Sequence, residues 1–341
     1  INRRHSMKKR VLLSSVLAAC LIVCICFVDG NAAPLTIRFS SGAPENHFLT
    51  QQYIEWAKLI EKNSKGDIKV QIYHSAQLYR DNEVLKAVQT GALESACGFT
   101  MYIENQLVPA MKVFMMPYLF QGLDETWKVY KSEVGTAWKQ TAERKGVKLL
   151  AMVVMPSPDD QIILTTKPVK VPADLKGQII RGASPEHALV IKKWGAGPSF
   201  LTGAEVYLGL QRNTINGAIN SLASYMDRKL YEAAPYVLMT PVSVVHTFIV
   251  INKGFFEKLT PDQQKIIMEA SATIENNTVQ FGKNTLKGDM EEAKKKAKVY
   301  IPTVVEATLW QEGMVPLWEE IAKDKPEVAD ALKNVRTMLK R

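Results

Sequence analysis

The stretch that says most about the fold is Pro172-Ala173-Asp174-Leu175-Lys176-Gly177-Gln178-Ile179-Ile180-Arg181. It begins as a polar turn that ends at a glycine, continues as a short apolar strand and finishes on an arginine. In open α/β proteins, ligands bind beyond the carboxyl ends of the strands, so this guanidinium lies where a ligand would bind. Its planar fork can hold a carboxylate by two hydrogen bonds. An ordinary ion pair accounts for Arg181 equally well from the local sequence.

The segments on both sides of this stretch alternate strands with helices of about ten or more residues. Such alternation predicts βαβ units and a mostly parallel sheet. Thr260 followed by Pro261 is a strong helix-start signal and predicts one very long helix, reaching Lys298. Strands are predicted at 35–40, 68–73, 93–97, 147–154, 178–181, 214–219 and 242–251, and the other helices at about 48–63, 82–90, 124–145, 185–194, 204–211, 310–323 and 326–339. Asp81 or Asn82 is the expected cap of the second helix.

A weak internal repeat relates the two halves of the chain. Residues 84–96 resemble residues 206–218, with identical residues at Val84 and Val206, Gln89 and Gln211, and Ala96 and Ala218. In both copies a helix ends, a short polar turn follows and a strand begins. Two related α/β lobes would enclose a cleft. Three identities are also compatible with chance similarity of two helix–strand junctions.

The N-terminal 33 residues are predicted to be a targeting segment. Five basic residues precede an apolar run over 11–28, and small residues follow, which is the pattern of a secretory signal peptide. Met7 is the expected start of translation. Two alternatives stay open: a membrane anchor formed by the 18-residue run, and a lipobox ending at Cys20, which would give a lipoprotein. The ranking is cleavage first, lipidation second and anchoring third.

Part of the net positive charge of the chain belongs to this N-terminal segment. The chain has 43 basic and 34 acidic residues, a formal +9. Residues 1–33 contain five of the basic residues and one acid, so 38 basic and 33 acidic residues remain, a formal +5. These are interleaved along the chain without an aromatic-rich basic face, which argues against nucleic acid as a partner.

The sequence offers little that indicates catalysis. It contains no nucleophile elbow, phosphate-binding loop or dinucleotide fingerprint. The five histidines are scattered, so neither a metal site nor a cofactor is predicted. Cys97 is the one cysteine after residue 33, and it is expected to be buried as a small apolar residue.

The chain resembles the solute-binding proteins of tripartite ATP-independent periplasmic (TRAP) transporters, the DctP family. The resemblance covers nearly all of the chain after the targeting segment. It rests on motifs in a fixed order: 89–91, Pro117-Tyr118-Leu119-Phe120, Asp174-Leu175-Lys176-Gly177 with Arg181, 195–196, 205–212, Asn216-Gly217-Ala218-Ile219-Asn220 and 252–259.

This resemblance implies a periplasmic-binding-protein-like α/β fold, with two lobes, a central cleft, hinge strands and one long helix that spans both lobes. The expected division is 1–33 as signal peptide, 34–158 with 247–286 as lobe I, and 159–246 with 287–341 as lobe II. The implied function is capture of a small organic acid outside the cytoplasm and its delivery to the membrane subunits of a TRAP permease, which uses an ion gradient. The expected protein is a periplasmic monomer and no enzyme.

The resemblance also assigns site residues one by one. Arg181 matches the arginine that binds the ligand carboxylate, and Asn220 matches an asparagine that assists it. Gln161 stands where many relatives have a second arginine. The other expected ligand-binding residues are Asn46 and His47 in the first strand-to-helix loop, Phe99 and Tyr102 after the third strand, Tyr225, and His246 beside the cleft. Each also has a purely structural explanation, as a core, cap or turn residue.

Three departures from the family pattern bear on the ligand. Gly203 replaces a frequent aromatic residue and would enlarge the pocket. Gln161 removes one cation, which argues against a doubly clamped dicarboxylate and favours a monocarboxylate. Asn213 and Asn216 replace a glycine and an aspartate, and Asn213 is expected to adopt a left-handed conformation. The alternatives to transport are a periplasmic enzyme, or a ligand sensor that keeps the 11–28 anchor.

Overall fold

The structure is a computed structural model, which describes residues 34–156 and 159–341. Residues 36–341 form one compact unit. The predicted signal peptide and its alternatives, the anchor over 11–28 and the lipidated Cys20, lie outside the described residues. Within the described ranges, no helix combines the length and the apolar character needed to cross a membrane.

Strands and helices alternate along most of the chain, as expected for an α/β protein. The strands are β1 (Leu35–Ser40), β2 (Ile68–Tyr73), β3 (Ser95–Phe99), β4 (Val147–Val153), β5 (Gln161–Thr165), β6 (Ile179–Gly182), β7 (Gly197–Phe200), β8 (Gly217–Ser221), β9 (Tyr236–Met239), β10 (Thr247–Asn252) and β11 (Lys298–Tyr300). The helices are α1 (Phe48–Asn63), α2 (Val84–Thr90), α3 (Thr100–Gln106), α4 (Leu123–Tyr130), α5 (Glu133–Arg144), α6 (Pro185–Lys193), α7 (Val206–Gln211), α8 (Leu222–Asp227), α9 (Lys253–Glu257), α10 (Pro261–Lys296), α11 (Val304–Gln311), α12 (Val315–Ala322) and α13 (Pro326–Leu339).

The strands form two sheets, one for each lobe. The first has the order β2-β1-β3-β10-β4, and the second has the order β11-β9-β5-β8-β6-β7. β1 and β3 are parallel, as are β6 and its neighbours β7 and β8. β10 runs antiparallel to β3 and β4, and β5 runs antiparallel to β8 and β9. The prediction of a mostly parallel sheet is therefore correct for part of each sheet only.

The chain passes directly from one sheet to the other at two points, and each time it enters the new sheet through an antiparallel strand, β5 or β10; a third passage, from β10 to β11, runs through α10. After β4 in the first sheet the chain passes to β5 in the second, and after β9 in the second sheet it returns to β10 in the first. Each connection joins sheets without a helix between them, so the strand entering has no βαβ unit to make it parallel. The two lobes are thus joined by strands, as the family resemblance implied.

The internal repeat is confirmed and extends further than the sequence suggested. α2 and α7 begin at Val84 and Val206, and β3 and β8 begin at Ser95 and Gly217, an offset of 122 residues in each case. The next helices, α3 and α8, begin at 100 and 222 and keep the same offset. Each lobe therefore contains the same helix–strand–helix unit beside its antiparallel strand.

The long helix α10 touches both lobes. Its N-cap Thr260 accepts a hydrogen bond from the Gln263 backbone N–H through its hydroxyl, and the Gln263 side-chain oxygen accepts one from the Thr260 backbone N–H, which confirms the predicted start. The helix packs on α1 and β4 in the first lobe and on α8 and β11 in the second. Thr278 accepts a hydrogen bond from the Val154 backbone N–H at 2.8 Å, which fixes α10 on the first sheet.

The C-terminal helices differ from the expected division. Trp318 in α12 and Val328 in α13 belong to the core of the first lobe, whereas Trp310 in α11 belongs to the core of the second. Residues 287–341 are therefore shared between the lobes. The predicted helix over 310–323 is two helices, because Gly313 adopts a left-handed φ of 69° between α11 and α12.

Two further predicted elements are shorter in the structure. The predicted helix over 124–145 is interrupted between α4 and α5, where Ser132 caps the second helix by accepting a hydrogen bond from the Val134 backbone N–H. The predicted strand over 242–251 begins only at Thr247, because the residues before it form the connection between the sheets.

Candidate ligand-binding site

A cavity lies where the two lobes meet. It is lined by ends of strands from both sheets and by the loops and helices that follow them. About 70 Å³ of it is open to water-sized molecules, several times the roughly 10–15 Å³ that one water needs. The lining residues are Asp81, Phe99, Met101, Tyr102, Met155, Gln161, Arg181, Ala183, His187, Gly203, Ile219, Asn220, Ser221, Ser224, Arg228 and Val245.

Arg181 lies at the carboxyl end of β6 and is only 5% exposed. Its Nε donates to the Leu201 carbonyl at 2.8 Å, and its Nη1 donates to the Ile219 carbonyl at 3.2 Å. Both acceptors are neutral, and no carboxylate among the described residues lies within ion-pair distance of the guanidinium. Burial lowers the pKa of Arg181 to about 10. The structure thus places a buried cation, with no carboxylate of the described residues in direct contact with it, on the wall of the cavity.

Four other predicted residues line the same cavity. Asn220 and Gln161 lie on the neighbouring antiparallel strands β8 and β5, where Asn220 is paired with Ile162 and Gln161 with Ser221. Phe99 and Tyr102 lie at the start of α3 in the first lobe. The internal repeat explains their placement, since Phe99 precedes α3 as Ser221 precedes α8. The N-termini of α3 in the first lobe and α8 in the second therefore both lie at the cavity.

The remaining predicted residues are not among those that line the cavity in the described part of the chain. Asn46 is exposed. Tyr225 is fully buried, and its hydroxyl donates to the Ala234 carbonyl at 2.9 Å. His246 is also fully buried and contacts Thr126 Oγ1 at 2.9 Å. Tyr225 and His246 are thus core residues in this structure, which is the structural explanation that the sequence had left open.

His47 does not line the cavity but contacts a residue that does, Ser224. It is the N-cap of α1, and its Nδ1 accepts a hydrogen bond from the Leu49 backbone N–H at 3.2 Å. Its Nε2 is 3.1 Å from Oγ of Ser224, which lines the cavity on the opposite lobe. Burial lowers the pKa of His47 to about 3, so the ring is neutral. His47 therefore positions Ser224 rather than facing the cavity itself.

Sequence reasoning missed several lining residues. The expected cap of the second helix, Asp81 or Asn82, is wrong, because Glu83 precedes α2; the Asp81 carboxylate instead accepts a hydrogen bond from the Gly42 backbone N–H at 3.1 Å. Arg228, at the end of α8, corresponds to no motif. Arg228 adds a second positive charge to the cavity beside Arg181, although Gln161 stands where many relatives have a second arginine.

Two of the departures from the family pattern are explained by the structure. Gly203 lines the cavity, and a Cβ atom at this position would be 3.7 Å from Nη2 of Arg228. The space that an aromatic side chain would need is thus next to the second arginine. Asn213 has a φ of 55°, which confirms the predicted left-handed conformation.

The site contains acidic and histidine residues but no arrangement suited to a metal. Across residues 34–156 and 159–341, no group of three or more His, Cys, Asp or Glu side chains is placed to hold a metal ion. Cys97 is buried, as expected, and the Tyr53 hydroxyl donates to its sulfur at 3.0 Å. Burial raises the pKa of the Cys97 thiol well above its ordinary value, which opposes a nucleophilic role.

Comparison with known proteins identifies the family. Residues 39–325 match DctP, the bacterial extracellular solute-binding protein family 7. The chain belongs to this family. The predicted resemblance is therefore confirmed, and with it the class of protein: members of the DctP family are solute-binding receptors for transport that act outside the cytoplasm.

Relatives of the DctP family match the chain over most of its length. A solute-binding protein of Albidiferax ferrireducens is 26% identical over 325 residues, which are 93% of this chain and 93% of the relative. The 2,3-diketo-L-gulonate-binding periplasmic protein YiaO of Escherichia coli is 26% identical and covers 91% of this chain and 94% of its own.

Solved structures confirm the two-lobed fold. A TRAP periplasmic solute-binding protein of Shewanella oneidensis with bound succinate has a TM-score of 0.82 at 24% identity, and covers 89% of this chain and 98% of its own. A second, from a Sulfitobacter species with bound beta-D-galacturonate, has a TM-score of 0.82 at 21% identity, and covers 89% and 99%.

Proposed function

We propose that this protein captures a small organic acid, a monocarboxylate, in the cavity between its lobes and delivers it to the membrane subunits of a TRAP permease. Residues 1–33 are its signal peptide, and it works as a periplasmic monomer. Arg181 binds the ligand carboxylate, and Asn220, Gln161, Phe99 and Tyr102 surround the rest of the molecule. Uptake is driven by an ion gradient across the membrane rather than by the binding protein.

The observation that carries the proposal is the buried charge of Arg181, which has no carboxylate of the described residues in direct contact with it. Its two hydrogen bonds go to neutral carbonyls, and burial opposes its charged form. A carboxylate in the cavity would supply the missing negative charge, with bidentate geometry and with water excluded. The desolvation of the arginine has already taken place on folding, so only the ligand carboxylate has to lose its water on binding.

The relatives support an acid as the ligand. YiaO is described as binding 2,3-diketo-L-gulonate, and the structural relatives contain succinate or beta-D-galacturonate. All of these molecules carry at least one carboxylate. Arg181, at the end of β6 and held by backbone carbonyls, would bind the carboxylate that these ligands share. The other lining residues would contact the parts of the ligand that differ.

Binding without turnover is supported by the state of the serine–histidine pair that crosses the cleft beside the cavity, Ser224 with His47. Ser224, His47 and Asp227 have the composition of a catalytic triad, and His47 Nδ1 is 3.9 Å from an Asp227 carboxylate oxygen. However, Nδ1 accepts from the Leu49 backbone N–H, so the proton of the neutral ring is on Nε2. Nε2 then donates to Ser224 and cannot remove its proton, as a general base must.

Several contacts between the lobes support closure as the event that a permease would detect. His47 contacts Ser224 across the cleft, and Arg228 Nη2 lies 3.4 Å from the Gly42 carbonyl. Each contact joins residues of the two lobes beside the cavity. Closure of the lobes by a hinge motion would form these contacts and remove the ligand from water.

A thermal-shift screen with matched ligands tests the proposal. Small keto, hydroxy and sugar acids should raise the melting temperature of the purified protein, whereas the corresponding amides, which lack the charge, should not. Mass spectrometry of ligand released by denaturation is an independent measurement of the same property. Binding of neutral analogues as tightly as of acids would contradict the proposal, and so would conversion of a bound acid to a product.

A further inference from the structure

The cavity contains charged residues of both signs. Arg181 and Arg228 are positive, and Asp81 is the acidic residue among the lining residues. Burial raises the pKa of the Asp81 carboxyl, whereas Arg228, the Gly42 backbone N–H and Arg181 oppose this shift and favour the carboxylate. The other ionisable lining residues are neutral at pH 7, because burial lowers the pKa of His187 to about 4 and raises that of Tyr102 to about 12. The described lining residues therefore have a net charge of +1, which one negative charge on a ligand would neutralise.

Asp81 is held at the cavity by its contact with the first lobe. Its Oδ1 accepts a hydrogen bond from the Gly42 backbone N–H at 3.1 Å. A Cβ atom at position 42 would lie only 2.2 Å from that oxygen, so the carboxylate occupies the space that a side chain would fill. Because glycine alone leaves this space, the negative charge has a fixed position in the site.

Asp81 forms no ion pair with either arginine. The three charged groups affect one another electrostatically, but no Asp81 oxygen is within ion-pair distance of Arg181 or Arg228 in the described structure. The Arg228 side chain makes one hydrogen bond, to the Gly42 carbonyl at 3.4 Å. All three charges are therefore available to act on a ligand, two by attraction and one by repulsion.

We propose that Asp81 is the residue that restricts this site to ligands with a single negative charge. This inference rests on the proposed function, since it concerns the kind of acid that the site accepts. One carboxylate neutralises the excess positive charge of the cavity. A second would face the fixed Asp81 carboxylate in a place where little water screens the repulsion. Gly203 completes the arrangement by leaving space for Arg228.

Isothermal titration calorimetry at pH 7.5, with acids that differ in charge but hardly in shape, tests the inference. The probes are succinate and glutarate, which are dianions, and their half-amides succinamate and glutaramate, which are monoanions. The wild-type protein should prefer the half-amides. Asp81→Asn removes the negative charge and keeps the shape, so it should move the preference towards the dianions by about tenfold or more.

Two further variants make the test specific. Asp67→Asn removes the same charge from an exposed turn and should leave the preference unchanged. Arg228→Gln lowers the cavity charge to zero and should weaken half-amide binding by about tenfold or more. The double variant Asp81→Asn/Arg228→Gln restores the charge of +1 and should restore the wild-type preference. Melting curves of each variant establish that it is folded.

The outcomes separate this inference from the proposed function. If the wild-type protein binds acids but prefers the dianions, or if Asp81→Asn leaves the preference unchanged, the role of Asp81 is refuted and the proposed function stands. If Asp81→Asn does not fold, the preference of the wild-type protein between the half-amides and the dianions decides the inference. If the wild-type protein binds neither these probes nor any other organic acid, the proposed function is refuted, and this inference with it.

Discussion

A buried group of charges joins the two lobes and makes a quantitative prediction about stability. Lys112 Nζ is 2.9 Å from a Glu186 carboxylate oxygen and 3.4 Å from one of Glu104. Lys112 and Glu104 belong to the first lobe, and Glu186 lies in the first turn of α6 in the second. Side-chain exposures are 10% for Lys112, 0% for Glu104 and 5% for Glu186.

The two carboxyl groups differ in the direction of their pKa shifts. Burial and the neighbouring Glu186 raise the pKa of Glu104 well above its ordinary value, which favours its protonated form. Burial would also raise the pKa of Glu186, but Lys112 outweighs it and the pKa is lowered. One buried oxygen of each carboxyl group has no other hydrogen-bond partner, which suits a proton between them. The group is therefore neutral as a whole.

Replacing Lys112 by methionine should leave Glu186 as a buried charge without its cation. Breaking a buried pair in this way costs about 3–5 kcal/mol. At about 2 °C per kcal/mol for a chain of this size, the melting temperature at pH 7.5 should fall by about 6–10 °C. Glu104→Gln should cost less than about 1 kcal/mol, because the amide has the shape and charge of the protonated acid.

Lys131→Met is the matched control for this substitution. Lys131 Nζ is 2.7 Å from a Glu275 oxygen, but its side chain is 41% exposed, and Glu275 also accepts hydrogen bonds from Tyr130 and from the Met152 backbone N–H. Because Lys131 is partly in water and the buried Glu275 keeps its two other donors, the loss should be about 1 kcal/mol or less, and the melting temperature should fall by at most about 2 °C.

The deficit caused by Lys112→Met should also depend on pH. Without its cation, Glu186 would have a raised pKa in the folded protein. Its contribution to stability is then fully present below the unfolded pKa of about 4.3 and is lost as pH rises through the folded pKa. The deficit should thus be smaller at pH 5.5 than at pH 7.5. Equal losses for Lys112→Met and Lys131→Met, or a deficit independent of pH, would refute the account of this group.

Three further predictions concern single positions. Burial lowers the pKa of His187 to about 4 and keeps its ring neutral, so it contributes stability that is present above about pH 6.5 and lost as pH falls towards 4. Urea denaturation should therefore give a lower free energy of unfolding at pH 4.5 than at pH 7, and His187→Asn should reduce this difference by about 2–3 kcal/mol. Thr260→Ala removes the cap of the 36-residue helix α10 and should lower the free energy of unfolding by about 1 kcal/mol, whereas an unchanged value would show that the cap is dispensable. Gly42→Ala should displace Asp81 and alter ligand affinity by about tenfold, with Gly288→Ala, where a Cβ meets nothing within 4 Å, as the control that should not.

The parts of the fold that the sequence predicts well are those with strong local signals. β1, β2 and α13 have the predicted bounds, and α10 begins at the predicted cap. These elements have clear periodicity or a capping motif that no distant contact overrides. The strands β5 and β9 were missed because each pairs with strands far away in the chain, and no local alternation distinguishes them.

The site residues, too, could be predicted only where the local sequence carries a signal. Arg181 could be predicted because a strand precedes it directly and the carboxyl ends of strands are where ligands bind. Arg228 and Asp81 could not, because they reach the cavity from different lobes and neither follows a strand. Together with Arg181, they set the net charge of the cavity, and this sum can be taken only once the fold brings the three residues together. Tyr225 and His246 were predicted from position in the chain alone, and position does not reveal on which side of a strand or helix the core lies.

The most direct measurement is the response of Arg181→Met to an acid that stabilises the wild-type protein. Burial of the cation lowers its pKa from the ordinary 12.5 to about 10, a cost of about 3 kcal/mol. Without ligand, the variant should therefore melt at the wild-type temperature or above it. With ligand, the wild-type protein should gain several degrees and the variant none. An equal gain in the variant would contradict the assignment of Arg181 as the carboxylate-binding residue.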